Sequence, residues 1–197
     1  MVLRGGWRAP QFLSRPTEAL SLVAIGLDEF PDNRLLLTAR GTIGTRRATG
    51  HTPIEDYTRA ITLAPDLAIA RLRLGQQYLG RGFGREARPW LESVAAGTAT
   101  DSQQYFAHLL LGRIAATEHK LEESDAEYHR AYSIGTAYQA ACIAVSRREE
   151  ALEREERATE VADDCFRLSG HDDPWPYYRA MNDPEALPHL RAEARGR

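Results

Sequence analysis

Residues 70–94, ARLRLGQQYLGRGFGREARPWLESV, decide the fold. Ala70, Leu74, Gly75 and Tyr78 recur at helical spacing as one apolar stripe, glycines at 80, 82 and 84 break the helix, and Ala87, Leu91 and Val94 return along a second. Two antiparallel helices approach to about 8–10 Å, so compact side chains are needed where they touch. Gly75 and Ala87 are the residues placed there. Pro89 sits inside the second helix and removes a backbone donor, so a kink or a late start is expected.

Working outward, the compact position returns along the chain. Gly41, Gly75, Gly112 and Ser146 recur at steps of 34, 37 and 34, and Ala19, Pro53, Ala87, Ser124 and Ala158 at steps of 34, 34, 37 and 34. Gly26, Ala60, Val94, Ala131 and Cys165 keep the same step. Each unit is then one helical hairpin that cannot bury its apolar face alone, so neighbours must stack. Gly112 with Ser124 and Ser146 with Ala158 are the further expected contact points. The three extra residues of the third unit are expected in a connecting loop, Ala96 to Ser102, which is small and polar.

The other units read less regularly. Pro16 suits the first turn of a helix on which Ala19, Leu20, Leu22, Val23, Leu27 and Phe30 recur as an apolar stripe, and Pro31 stops it. Gly5, Gly6 and Pro10 are poor helix residues, so the first hairpin is expected to be incomplete. Thr42, Ile43, Gly44 and Thr45 predict a short, weak helix in unit two, whereas Thr52, Pro53 and Glu55 form a capping-box start and Pro65 a stop. In the fifth unit, the charged stretch from Arg147 to Arg157 suggests pairs of Glu150 with Arg154 and Glu153 with Arg157. Pro174, Trp175, Pro176, Tyr177 and Tyr178, followed by a helix start at Asp183, Pro184 and Glu185, suit a cover for the last hairpin.

Leu74, Gly75, Tyr78, Gly82 and Ala87, together with Tyr57, Ala60 and Pro65, resemble the tetratricopeptide repeat (TPR) family over roughly Thr17 to Leu168. The resemblance implies an all-α, right-handed α–α superhelix of about five hairpins, the first incomplete. It spans residues 1–168, with 169–197 as a Pro- and aromatic-rich C-terminal cap. It also implies a non-catalytic module that holds a protein or peptide in a groove lined by the first helices. Mapped onto this chain, the rows are Leu35, Ile69, Phe106 and Ala140; Thr38, Leu72, Leu109 and Ile143; and Thr42, Gln76, Arg113 and Arg147. The binding residues it implies are Thr38, Thr42, Ile69, Leu72, Gln76, Phe106, Leu109, Arg113 and Arg147. They would present an apolar side with a basic end to an extended or helical segment. The alternative is that the apolar members pack between hairpins while Arg113 and Arg147 pair with Glu118 and Glu150. Groove Lys and Asn, which some family members use to grip a C-terminal carboxylate, are absent here, which argues against that activity.

The bulk numbers narrow the partners. A net charge of −3 gives no global reason to expect nucleic acid. No run approaches the ~18 apolar residues of a membrane span, and residues 1–8 lack the apolar run of a signal peptide, so a cytoplasmic location is expected. Lys120 is the only lysine, a bias best ascribed to genome composition. Cys142 and Cys165 fall at slots that approach within one hairpin, and free buried thiols are expected over a bridge in a cytosolic protein. The six histidines show no paired metal spacing. His171 with Asp172 and Asp173 reads as a turn, and no nucleophile motif stands out, so no enzyme, metal or cofactor is expected. The second functional reading is a structural subunit that stacks end to end with itself or a larger chain through its N-terminal end, or a fragment of a longer repeat array.

Overall fold

The computed structural model describes residues 16–44, 49–134 and 139–167. These form α1 (Pro16–Glu29), α2 (Arg34–Ile43), α3 (Pro53–Leu63), α4 (Ala68–Gly80), α5 (Gly84–Ala95), α6 (Asp101–Thr117), α7 (Leu121–Ile134), α8 (Gln139–Ala151) and α9 (Glu155–Arg167), with no strand among the described residues. The expected cap at 169–197 and the N-terminal segment 1–13 lie outside them. The chain forms two compact units, residues 1–77 and 78–197.

In the first unit α2 packs on both α1 and α3. Val23, Leu27, Leu37, Ala60 and Ala70 make its core, flanked by Leu36, Ala39, Ile61 and Leu67. The start of α3 is fixed locally: the Thr52 hydroxyl accepts from Glu55 N, the Glu55 carboxylate accepts from Thr52 N, and Pro53 takes the first helical position. Asn33 caps α2 by accepting from Leu35 N and Leu36 N. The weak half of unit two is a helix of 10 residues, Arg34–Ile43, with Gly44 as its C-cap. Its threonines turn inward on themselves, Thr38 Oγ1 donating to Arg34 O and Thr42 Oγ1 to Thr38 O, both at 2.8 Å.

In the second unit α5 to α9 pack in sequence, each on the next. Two expected contact points appear as hydrogen bonds: Ser124 Oγ donates to Gly112 O and Ser146 Oγ to Ala158 O, each at 2.9 Å. Gly75 and Ala87 are both buried. A Cβ on Gly112 would lie 2.6 Å from the Tyr128 ring, so this glycine marks a close approach that no side chain fits. Tyr105 and Phe106 meet edge to face at 5.0 Å, and the Tyr105 hydroxyl accepts from Ala141 N at 3.1 Å. That bond satisfies one of the orphan donors in the first turn of α8 and ties it to the preceding hairpin.

The interhelical turns repeat even where the residues do not. Gly82, His119 and Glu153 all have positive φ (84°, 58° and 58°). After each, the next residue's N–H closes the helix end: Phe83 N to Tyr78 O, Lys120 N to Ala115 O and Arg154 N to Glu149 O, at 2.9, 2.9 and 3.0 Å.

Three expectations are corrected. The extra residues of the third unit do not all lie in a loop, because α6 begins at Asp101 and gains a first turn, capped by the reciprocal Thr100–Gln103 box. The signal was legible, since Thr followed three residues later by Gln is a capping box. No late start follows from Pro89, because α5 runs from Gly84 through it. Nor is Cys142 a free thiol: fully buried beside Val145 and Val161, it is held in a disulfide. The side chain of the chain's other cysteine lies outside the described residues.

Candidate functional site

Thr38 and Thr42 lie on α2, Ile69, Leu72 and Gln76 on α4, Phe106, Leu109 and Arg113 on α6, and Arg147 on α8. The first helices of successive hairpins therefore do carry them. Burial divides the set. Thr38, Leu72, Gln76, Phe106 and Leu109 are buried, Thr42, Ile69 and Arg113 are partly open, and Arg147 is exposed. Gln76 accepts from Arg73 Nη1 at 3.1 Å, so its amide oxygen is already engaged. Burying an apolar side chain of the size of Leu72 or Phe106 is worth about 1.5–3 kcal/mol, which fits a packing role for these two. Ala140 belongs to the same rows, but its side chain is outside the described residues.

The charged side chains are partnered differently from the sequence expectation. Glu118 pairs with Arg88 at 2.8 Å and with Lys120 at 2.8 Å, while Arg88 also reaches Glu123. Lys120, and Arg88 behind it, hold the Glu118 carboxyl below its ordinary value. Against the lowering effect of burial, Glu123 and Glu118 hold the Arg88 guanidinium above its own. Arg154 pairs with Glu149 at 3.3 Å and Arg157 with Glu160 at 2.5 Å. These two arginines thus bond carboxylates other than the ones expected from helical spacing.

Two buried polar pairs lie between helices. In the first unit Arg40 Nε donates to both carboxylate oxygens of Asp56 at 3.1 Å, and Asp56 is almost fully buried. In the second, His108 Nδ1 lies 2.7 Å from Glu127 Oε2, with Arg130 on the other oxygen. Burial pushes the Glu127 carboxyl up, but the hydrogen bond and charge of His108, with Arg130, outweigh it and hold the group below its ordinary value. Both pairs join consecutive helices and are structural in position.

The surface signal that the periodic reading missed is apolar. Leu22 and Ile25 on α1 are 67% and 64% exposed, and Phe30 and Leu35 at the α1–α2 turn are 56% and 57% exposed. A shallow depression of about 540 Å³ runs along α3, lined by Ile54, Glu55, Thr58, Arg59, Thr62 and Leu63. Leu22 and Ile25, three positions apart on a helix, share one outward face and were available from the sequence. The expected stripe had counted Leu22 and Phe30 among the inward residues.

The structure is similar to that of PilW, a type IV pilus biogenesis factor, with a TM-score of 0.69 at 16% identity, covering 95% of this chain and 89% of the other. It is also similar to a MamA RS-1 double mutant, with a TM-score of 0.63 at 19% identity, covering 81% of this chain and 89% of that one. These neighbours are TPR-containing proteins. The fold is TPR-like. No protein-family model matches the chain, and no curated protein matches it in sequence. Among the described residues no helix is long and apolar enough to cross a membrane.

Proposed function

We propose that the chain is a non-catalytic protein-binding module, an adaptor or assembly scaffold, that takes a protein or peptide segment on the surface of its hairpins. The observation that carries this reading is the exposure of Leu22, Ile25, Phe30 and Leu35. Four large apolar side chains open to water on α1, the turn after it and the start of α2 mark a contact surface. Groove contacts in this proposal rest on the accessible members of the expected set: Thr42 and Ile69 in the first unit, Arg113 and Arg147 in the second. Leu72, Phe106 and Leu109 serve packing instead. The interior polar pairs, Arg40–Asp56 and His108–Glu127, do the same, which supports a role without catalysis.

The test is recovery of partners from native lysate by the full chain. Leu22→Glu with Ile25→Glu should abolish capture if the α1 face binds, and Arg113→Glu with Arg147→Glu should weaken it. Unchanged recovery by both double variants would defeat the reading.

A second reading, self-association through the N-terminal end, draws on the same observation, because α1 is the first described helix and its outward face is apolar. Concentration-dependent sedimentation that disappears in the Leu22→Glu, Ile25→Glu variant favours it over the adaptor.

The compartment follows the disulfide. Disulfides persist in oxidising compartments and are rare in the cytosol, so the bridge at Cys142 supports an oxidising location over the cytoplasmic one expected from the sequence. Thiol labelling of the protein from its native source, with and without reductant, decides between them.

A further inference from the structure

Asp125 and His129 stand one turn apart on α7, and Glu149 faces them from α8. One ring nitrogen of His129 and one carboxylate oxygen from each acid lie within 4.8 Å of one another. We propose that these three side chains form a binding site for a divalent transition-metal ion of the zinc class, which staples the fourth hairpin to the fifth.

Three observations distinguish this cluster from an ordinary surface ion pair. His129 Nδ1 lies 3.0 Å from the backbone carbonyl of Asp125, which can only accept, so Nδ1 carries the proton in that bond. In the neutral ring Nε2 is then left with a lone pair, 3.9 Å from Glu149 Oε1. Two acceptors facing across that gap are too far apart for a hydrogen bond and suit two ligands of one cation. An imidazole whose other nitrogen donates to a carbonyl is also the usual arrangement of a metal-bound histidine.

The second observation is Asp125 Oδ1, which is sealed from solvent and has no hydrogen-bond partner. His129 Nδ1, 3.4 Å away, is spent on the backbone carbonyl. Such an orphaned carboxylate oxygen is costly unless an ion or a water satisfies it. The third is Glu149, whose side chain is 5% exposed and therefore taken almost wholly out of water. Arg154 holds Glu149 Oε2 at 3.3 Å, which turns Oε1 toward the histidine.

Nitrogen and carboxylate oxygens at arm lengths of about 2.0–2.2 Å suit Zn²⁺ and its neighbours, and contraction of the cluster by about 1 Å brings all three within reach. His129 is 42% exposed and can make that movement. Three protein ligands leave a fourth position, and the partial exposure of Asp125 and His129 opens it to water or to a donor from another molecule.

The experiment is calorimetric titration of chelator-stripped, tag-free full chain with Zn²⁺. The expected result is one saturable equivalent and a raised melting temperature. Asp125→Asn and His129→Gln should each weaken binding about tenfold or more, while His51→Gln binds as wild type. Both deciding side chains are partly open to water, so their variants keep the fold, which circular dichroism checks; Glu149→Gln, at a buried position, is secondary. Ca²⁺ should bind more weakly than Zn²⁺, because imidazole is a poor ligand for hard cations. Absence of a saturable equivalent, wild-type affinity in both α7 variants, or stronger binding of Ca²⁺ than of Zn²⁺ would each overturn the assignment.

Discussion

The α2–α3 and α6–α7 hairpins solve one packing problem with different electrostatics. In each, a glycine on the first helix faces a tyrosine on the second: a Cβ on Gly41 would lie 2.9 Å from the Tyr57 ring, and one on Gly112 2.6 Å from that of Tyr128. Each also buries an acid near that contact. Asp56 is held by Arg40, whose charge is permanent, whereas Glu127 is held by His108, a residue type whose charge depends on pH. Steric fit is therefore repeated closely, while the polar partner is free to vary, because only the helix separation is common to both hairpins.

Replacing Arg40 by Met breaks this comparison most severely. Asp56 would keep its burial and lose its counter-charge, which costs about 3–5 kcal/mol. Urea denaturation of the full chain should show that loss in the transition of the first unit; a negligible change would mean that water reaches Asp56. Next comes Gly112→Ala. Its Cβ meets a rigid ring rather than a flexible end, so overpacking should cost about 1–3 kcal/mol. Gly41→Ala should cost less, because its ring contact, at 2.9 Å, is looser than the 2.6 Å at Gly112. Reversal of that order in matched melts would refute the steric account.

The turns sharpen the comparison in the stabilising direction. A non-glycine residue at positive φ is strained by about 1–2 kcal/mol, part of which glycine returns as extra chain entropy in the unfolded state. His119→Gly should accordingly raise stability by about 1 kcal/mol and Glu153→Gly by a similar amount, whereas Gly82→Ala should lower it. Thermal denaturation is sufficient to check all three.

The smallest effect is the pH response. The Glu127 pKa is lower in the folded chain than in the unfolded one, so its contribution is complete above the unfolded value, about 4.3, and is lost as pH falls through the folded value. Wild type should therefore lose melting temperature more steeply below about pH 4 than Glu127→Gln does. Parallel curves would show that the His108 contact adds nothing beyond packing.

Much of the fold was legible because its signals are local or periodic. The Thr52–Pro53–Glu55 start, the stop at Pro65 and the serines that bond Gly112 and Ala158 all follow from spacing along one or two helices. The extra turn of α6 was equally legible in Thr100 and Gln103. The candidate groove was less so: periodicity reports which face of a helix a residue occupies, not how deeply the next hairpin covers it. Leu72, Phe106 and Leu109 therefore read as groove residues and are buried. Asp125 and His129 share one helical turn, but the third member of their cluster, Glu149, comes from another hairpin, and no local spacing connects it to them.

By itself, the sequence determined that compact residues recur at steps of 34 or 37 and hence that the chain folds as helical hairpins, since close helix approach imposes that demand at each repeat. Only the tertiary structure decided that Arg154 takes Glu149, that Cys142 is bridged, and that His129 meets two acids. The meeting of His129 with Glu149 depends on the rotation of one hairpin against the next, a quantity set by the sum of many side-chain contacts and carried by no single motif.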